Sequence, residues 1–365
     1  MALQKESYGM GIDSRDDSAC YGIEQRKPEM KRSRIRICFS LTLIVLLGFS
    51  LPTVAQPLFE FHSGFWVNLH HFLYLAALSE SPQTGRHAAT LTPADEATLR
   101  ALTPQERSSW DEAVTYYAHS VVQRDLLFDR DLAAAKNRLE DAEASPDLTD
   151  AVPAEMKSAL LKSAPIYRSH FWAAHDAENR AWIAHLQPLV VRYGEGLKAS
   201  LAMIYETPWP KQTVRVDAVV YANWAGAYTT LEPTRVTIST RDPANQGTAA
   251  LEIVFHESSH GMMDKVQAAI DAATKAENTQ HPDRAFQSGS IWHAVLFYTA
   301  GALVAERIPG YVPYADKNGL WKRAWPDPDR VLIEQDWQPH MEGKAGLRQA
   351  LTKLIDDLAS QRRVH

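Results

Sequence analysis

Val254-Phe255-His256-Glu257-Ser258-Ser259-His260-Gly261-Met262 decides how the rest of the chain is read. It spells His-Glu-x-x-His. On a helix, positions i and i+4 stack on one face, so His256 and His260 can offer two imidazoles to one ion. Zinc takes neutral imidazoles as ligands, and a glutamate between them can act on water as general base. Glu257 holds that position. Phe255, Ser258 and Ser259 carry no charge, which suits a helix buried beneath a metal. The spacing also arises by chance in a chain with 14 histidines, so its surroundings have to decide.

Upstream, residues 214–221 and 235–240 read as strands, rich in β-branched residues with partial alternation. A turn follows at 242–247, and the motif helix is predicted from Thr248 to about Ala272. Downstream, residues 290–306 form a helix that is apolar all round and therefore buried. A buried polar residue on such a helix needs a partner. His293 and Glu306 are its two candidates for a third zinc ligand. Thirteen positions at about 100° each put them roughly 140° apart, so only one can serve. His293 sits among Ile291, Trp292, Leu296 and Phe297, where an imidazole is more easily explained as a ligand. Glu306 lies at the helix end beside Arg307. Glu277 is a weaker third choice, in a polar run expected to be exposed.

Residues 213–306 resemble the zincin metallopeptidases, on the gluzincin side of that group, and the motif itself is the specific part of the likeness. The resemblance implies His256 and His260 as zinc ligands and Glu257 as base. Asp264, four residues after His260, resembles a position that orients a ligand from behind; a solvated helix residue is the alternative. Residues 223–228 would be the edge strand that pairs with an extended substrate. The metzincin pattern is absent, because Met263 and Val266 stand where it needs glycine and histidine. With His293 as third ligand, the site departs from a strict gluzincin. Such an enzyme needs a donor for the oxyanion. Tyr314 is the expected one, with Tyr311 and His340 as alternatives.

The chain begins with a polar stretch, residues 1–29, read as an upstream extension that is not native. Residues 30–55 read as a secretory signal peptide: a basic start, an apolar run from Ile37 to Leu51, and small residues before a cut after Ala55. The apolar run is short for a membrane span, which takes about 20 residues. Both cysteines, Cys20 and Cys38, precede the cut, so the mature chain would go to an oxidising compartment without disulfides. Removing the 8 basic and 6 acidic residues of this leader from totals of 38 and 44 leaves 30 and 38, a formal charge of −8. No basic stripe suggests nucleic acid.

Residues 56–210 are expected to be helical. A buried helix starts near Ser63, and Thr103-Pro104-Gln105-Glu106 is a capping box with proline at the first helical position. His70, His71, His170 and His175 read as core, capping or surface residues. Residues 347–358 form an amphipathic terminal helix.

The expected fold is α+β and mostly helical. A helical N-terminal part, 56–210, packs on a zincin-like catalytic region, 211–365, with a small sheet and the motif helix. The expected function is a secreted or periplasmic zinc (Zn2+) hydrolase, most readily a peptidase acting on peptide or protein substrates, with no stable membrane insertion after signal cleavage. Its rivals are a zinc-binding protein of the same fold without peptidase activity and a structural secreted helical protein.

Overall fold

A computed structural model describes residues 56–80, 90–143, 145, 148 and 152–364. The expected leader and its cut lie outside the described residues. The chain opens with strand β1 (Phe59–His62) and runs through helices α1 (Phe65–Glu80), α2 (Pro93–Ala101), α3 (Pro104–Ser120), α4 (Arg130–Ala142), α5 (Ala154–His170) and α6 (Trp172–Ile204). Three strands follow: β2 (Val214–Val219), β3 (Ala227–Thr230) and β4 (Arg235–Ser239). Helices α7 (Thr248–Ser259), α8 (Asp264–Gln280) and α9 (Ile291–Arg307) come next. Two single turns, α10 (Tyr314–Lys317) and α11 (Leu320–Arg323), lead into α12 (Asp327–Met341) and α13 (Leu347–Val364). The mostly helical α+β class expected from the sequence is what the chain adopts.

The capping box forms as its residues dictate. Thr103 Oγ1 accepts from the Glu106 backbone N–H, and the Glu106 carboxylate accepts from that of Thr103. These bonds satisfy two donors that a helix start would otherwise leave free.

The four strands form one sheet in the order β1-β2-β4-β3. The first three are parallel, and β3 runs antiparallel along the outer edge of β4. β1 is absent from the sequence expectation. Its Phe-Glu-Phe-His alternation has the period of a strand, but four residues are too few to stand out beside a long helix. Its register, Phe59 opposite Val214 and Phe61 opposite Val216, ties the first described residues to the middle of the chain.

That register gives the sheet two unlike faces. Phe59, Val214, Val216, Ala218, Val236 and Ile238 share the side covered by α6 and α7, within the larger hydrophobic core. Arg215, Asp217 and Thr237 share the opposite side, beneath α4. A second core lies beyond it, formed by α1, α3, α4 and α5.

The motif helix is shorter than expected. α7 stops at Ser259, His260–Met262 make a tight 3₁₀ turn, and α8 restarts at Asp264. The His260 N–H bonds to the Glu257 carbonyl, three residues back, which tightens the end of the helix. Gly261 lets the β3–β4 turn approach here. A Cβ on it would lie 3.0 Å from Thr234 Oγ1 and 3.4 Å from Leu231 Cδ2. Among the described residues, no helix is long and apolar enough to cross a membrane.

Candidate metal centre

α7 carries His256 and Glu257, and His260 caps it at the start of the tight turn. α9 packs against α7 and supplies His293 from its first turn. One ring nitrogen from each of His256, His260 and His293 lies within 4.8 Å of the other two. The Nε2 atoms of His256 and His293 face each other at 3.1 Å. Two nitrogens on a tetrahedral zinc with Zn–N distances near 2.0–2.1 Å sit about 3.3 Å apart, so the pair fits one ion. His256 is buried, whereas His260 and His293 are half-buried, so the cluster opens to solvent on their side.

Burial sets the charge of the cluster. It holds His256 well below the ordinary histidine range, and the neighbouring His293 and His260 push it further down. Burial lowers His260 to about 4. Burial, and then His260, lower His293 to about 3. All three are neutral at pH 7, the form that binds a metal. His256 Nδ1 is buried without a partner.

Aromatic rings hold the imidazoles in place. Phe297 lies against His256 with ring centres 3.8 Å apart. Trp292 stacks on His293 and meets His260 edge-on.

The Glu257 carboxylate is buried beside this cluster, with Oε2 3.8 Å from His260 Nε2. Thr229 Oγ1 donates to Oε2 at 2.7 Å. Burial raises Glu257 to about 7, against the downward pull of the Thr229 bond. A carboxyl poised near neutrality suits proton transfer in both directions.

The other expected residues separate clearly. Glu306 is exposed at the far end of α9 and pairs with Arg307 at 3.3 Å. Thirteen positions at 1.5 Å each put it roughly 20 Å along the helix from His293, so the structure does not bring it to the cluster. Glu277 is buried rather than exposed, paired with Arg363 on α13. Asp264 is exposed in the first turn of α8, because the break after His260 removes it from the motif face.

Tyr314 is buried, with its ring stacked on Phe297 at 5.9 Å. Burial pushes its phenol up, with Asp242 and Glu257 adding to the shift, so it keeps its proton. Tyr311 instead donates to Glu252 at 2.6 Å. His340 sits between the Ile204 and Ala345 carbonyls. His70 and His71 are core residues bonded to Tyr117 and Tyr228. His175 is buried between Tyr167 and Asp95, and His170 pairs with Glu106.

Thr229 and Glu252 are polar residues at the site that sequence reasoning passes over. Thr229 looks like an ordinary strand residue. Glu252 stands four positions before His256, and that spacing was the available signal. No protein-family model, curated protein or solved structure matches this chain.

Proposed function

We propose that the chain is an exported zinc-dependent hydrolase of zincin type, acting on peptide bonds. One observation carries the reading. Three neutral imidazoles converge from two helices within 4.8 Å, with the buried Glu257 carboxylate beside them. His256, His260 and His293 would hold the zinc, and substrate would approach from the half-exposed side of His260 and His293. Zinc there supplies a Lewis acid and makes water a better nucleophile at neutral pH.

Glu257 accepts a proton from the attacking water as the oxygen bonds to the peptide carbonyl carbon. It then passes that proton to the leaving nitrogen as the C–N bond breaks. Tyr314, kept protonated by burial, would donate a hydrogen bond to the carbonyl oxygen as it gains charge. The leader read at 30–55 would deliver the chain to the periplasm or the exterior.

Metal analysis of purified protein, followed by assay on a pool of internally quenched peptides, tests this. About one zinc per chain and peptide cleavage are expected. Glu257→Gln should keep the zinc and lose turnover by about 10²–10⁴, the usual worth of a general base. Turnover that survives Glu257→Gln would overturn the mechanism, and a metal-free protein would overturn the reading.

A further inference from the structure

On the sheet face beneath α6 and α7, the register aligns Phe59, Phe61, Val214, Val216, Ala218, Val236, Ile238, Ala227 and Thr229. All but Thr229 are apolar. Thr229 is half-buried there, and a hydroxyl taken out of water costs free energy unless it is bonded. Thr229 Oγ1 lies 2.7 Å from Glu257 Oε2 and 2.9 Å from the Glu257 carbonyl oxygen. The hydroxyl has one hydrogen to give, and the carbonyl already accepts the His260 N–H. The shorter contact, to an oxygen that can carry charge, takes that hydrogen.

We propose that Thr229 is a positioning residue for Glu257, fixing the carboxylate by its Oε2 atom so that the group keeps one orientation beside the three histidines. This rests on the hydrolase reading given above. β3 is the outer strand and packs on α7, so the bond ties the base to the sheet as well as to its own helix. Without it, the carboxyl group turns about its terminal torsion, which has broad, nearly two-fold preferences. Valine at 229 has the same shape and continues the apolar face. A purely structural threonine would therefore lose nothing on becoming valine.

Zinc-loaded full-length wild type, Thr229→Val, Thr229→Ser, Thr229→Ala and Glu257→Gln are compared on the best-cleaved peptide of the pool. Binding of acetohydroxamate, a chelator that gives up a proton to a neighbouring base, is measured by calorimetry. Thr229→Val should keep its zinc and its KM within about twofold and lose kcat by roughly 10- to 100-fold, the worth of one hydrogen bond to a charged group. Its acetohydroxamate affinity should fall by about tenfold on the same grounds, and Thr229→Ser should restore both. Thr229→Ala repeats the deletion if the valine variant fails to fold. Full kcat and full acetohydroxamate affinity without the hydroxyl would overturn the inference, as would a serine variant as impaired as valine. If wild type holds no zinc or cleaves no peptide, the hydrolase reading falls first and takes this one with it.

Discussion

On one side of the sheet, Lys136 and Glu140 of α4 lie buried against Arg215, Asp217, Thr237 and Arg235. On the other, His256, His260, His293 and Glu257 lie buried against α9. Both clusters take polar groups out of water, and they meet that cost in different ways. In the first, every charged side chain has an oppositely charged partner, while burial and then the neighbouring Glu140 raise Asp217 to about 7. Lys136 Nζ is 2.7 Å from Glu140 and 3.1 Å from Thr230 Oγ1, and Arg215 reaches both Asp217 oxygens. None of these side chains leaves a buried polar atom unpartnered. In the second, three groups of one kind crowd together, their protonated forms are suppressed, and His256 Nδ1 has no partner. A matched set holds a fold together. Convergent neutral imidazoles are a set that a cation would match.

The comparison breaks most sharply at His293. His293→Ala should weaken zinc binding by about 10³-fold or more, beyond the 10–100-fold cost of residues behind the ligands. Glu306→Ala should leave binding unchanged; both are read by calorimetry against a competing chelator. Equal losses in the two variants would dissolve the distinction drawn along α9. Next comes Lys136→Met, which leaves the buried Glu140 carboxylate under α4 with the more distant Arg235, at 3.3 Å, as its cation. It should cost about 3–5 kcal/mol in urea unfolding with zinc stoichiometry kept. A cost below about 1 kcal/mol would mean that the first cluster contributes little.

The mildest effect concerns Glu252, which accepts from Tyr311 Oη and the Tyr314 N–H and is raised by burial to about 7. Between its ordinary value of 4.5 and about 7, the folded protein keeps a proton that the unfolded chain has lost. The contribution of this group is therefore largest below 4.5 and declines as pH rises to about 7. The difference in unfolding free energy between pH 4.5 and 7.5 should include a term on the order of 3 kcal/mol that Glu252→Gln abolishes. An identical pH profile in the variant would show that the carboxyl is not held neutral by burial.

Much of the metal cluster was legible because its parts are local. The i, i+4 histidine pair needs only a helix, and His293 stands out as a polar residue in an all-apolar segment. The polar face of the sheet was not legible. Val214-Arg215-Val216-Asp217 alternates in the way a strand with one wet face does, and nothing nearby announces that α4, some 75 residues earlier, covers it. Glu277 misleads for the same reason. Its neighbours are polar, but its partner Arg363 is 86 positions away. At the helix break after His260, Thr234 lies close against Gly261, a contact between segments that sequence periodicity does not encode.

The pairing of Phe59 with Val214 also has a consequence for the order of folding. β1 emerges first among the described elements during synthesis, yet its only neighbour in the sheet is made some 155 residues later. Contacts this distant in sequence close slowly, because the entropy of closing the long loop between them is lost before they form. Six helices therefore exist as chain before the first strand has anywhere to dock. A fragment ending near residue 210 would carry β1 as a bare strand edge, open to pairing with another copy. β1 itself docks only once the half that bears the histidines has been made.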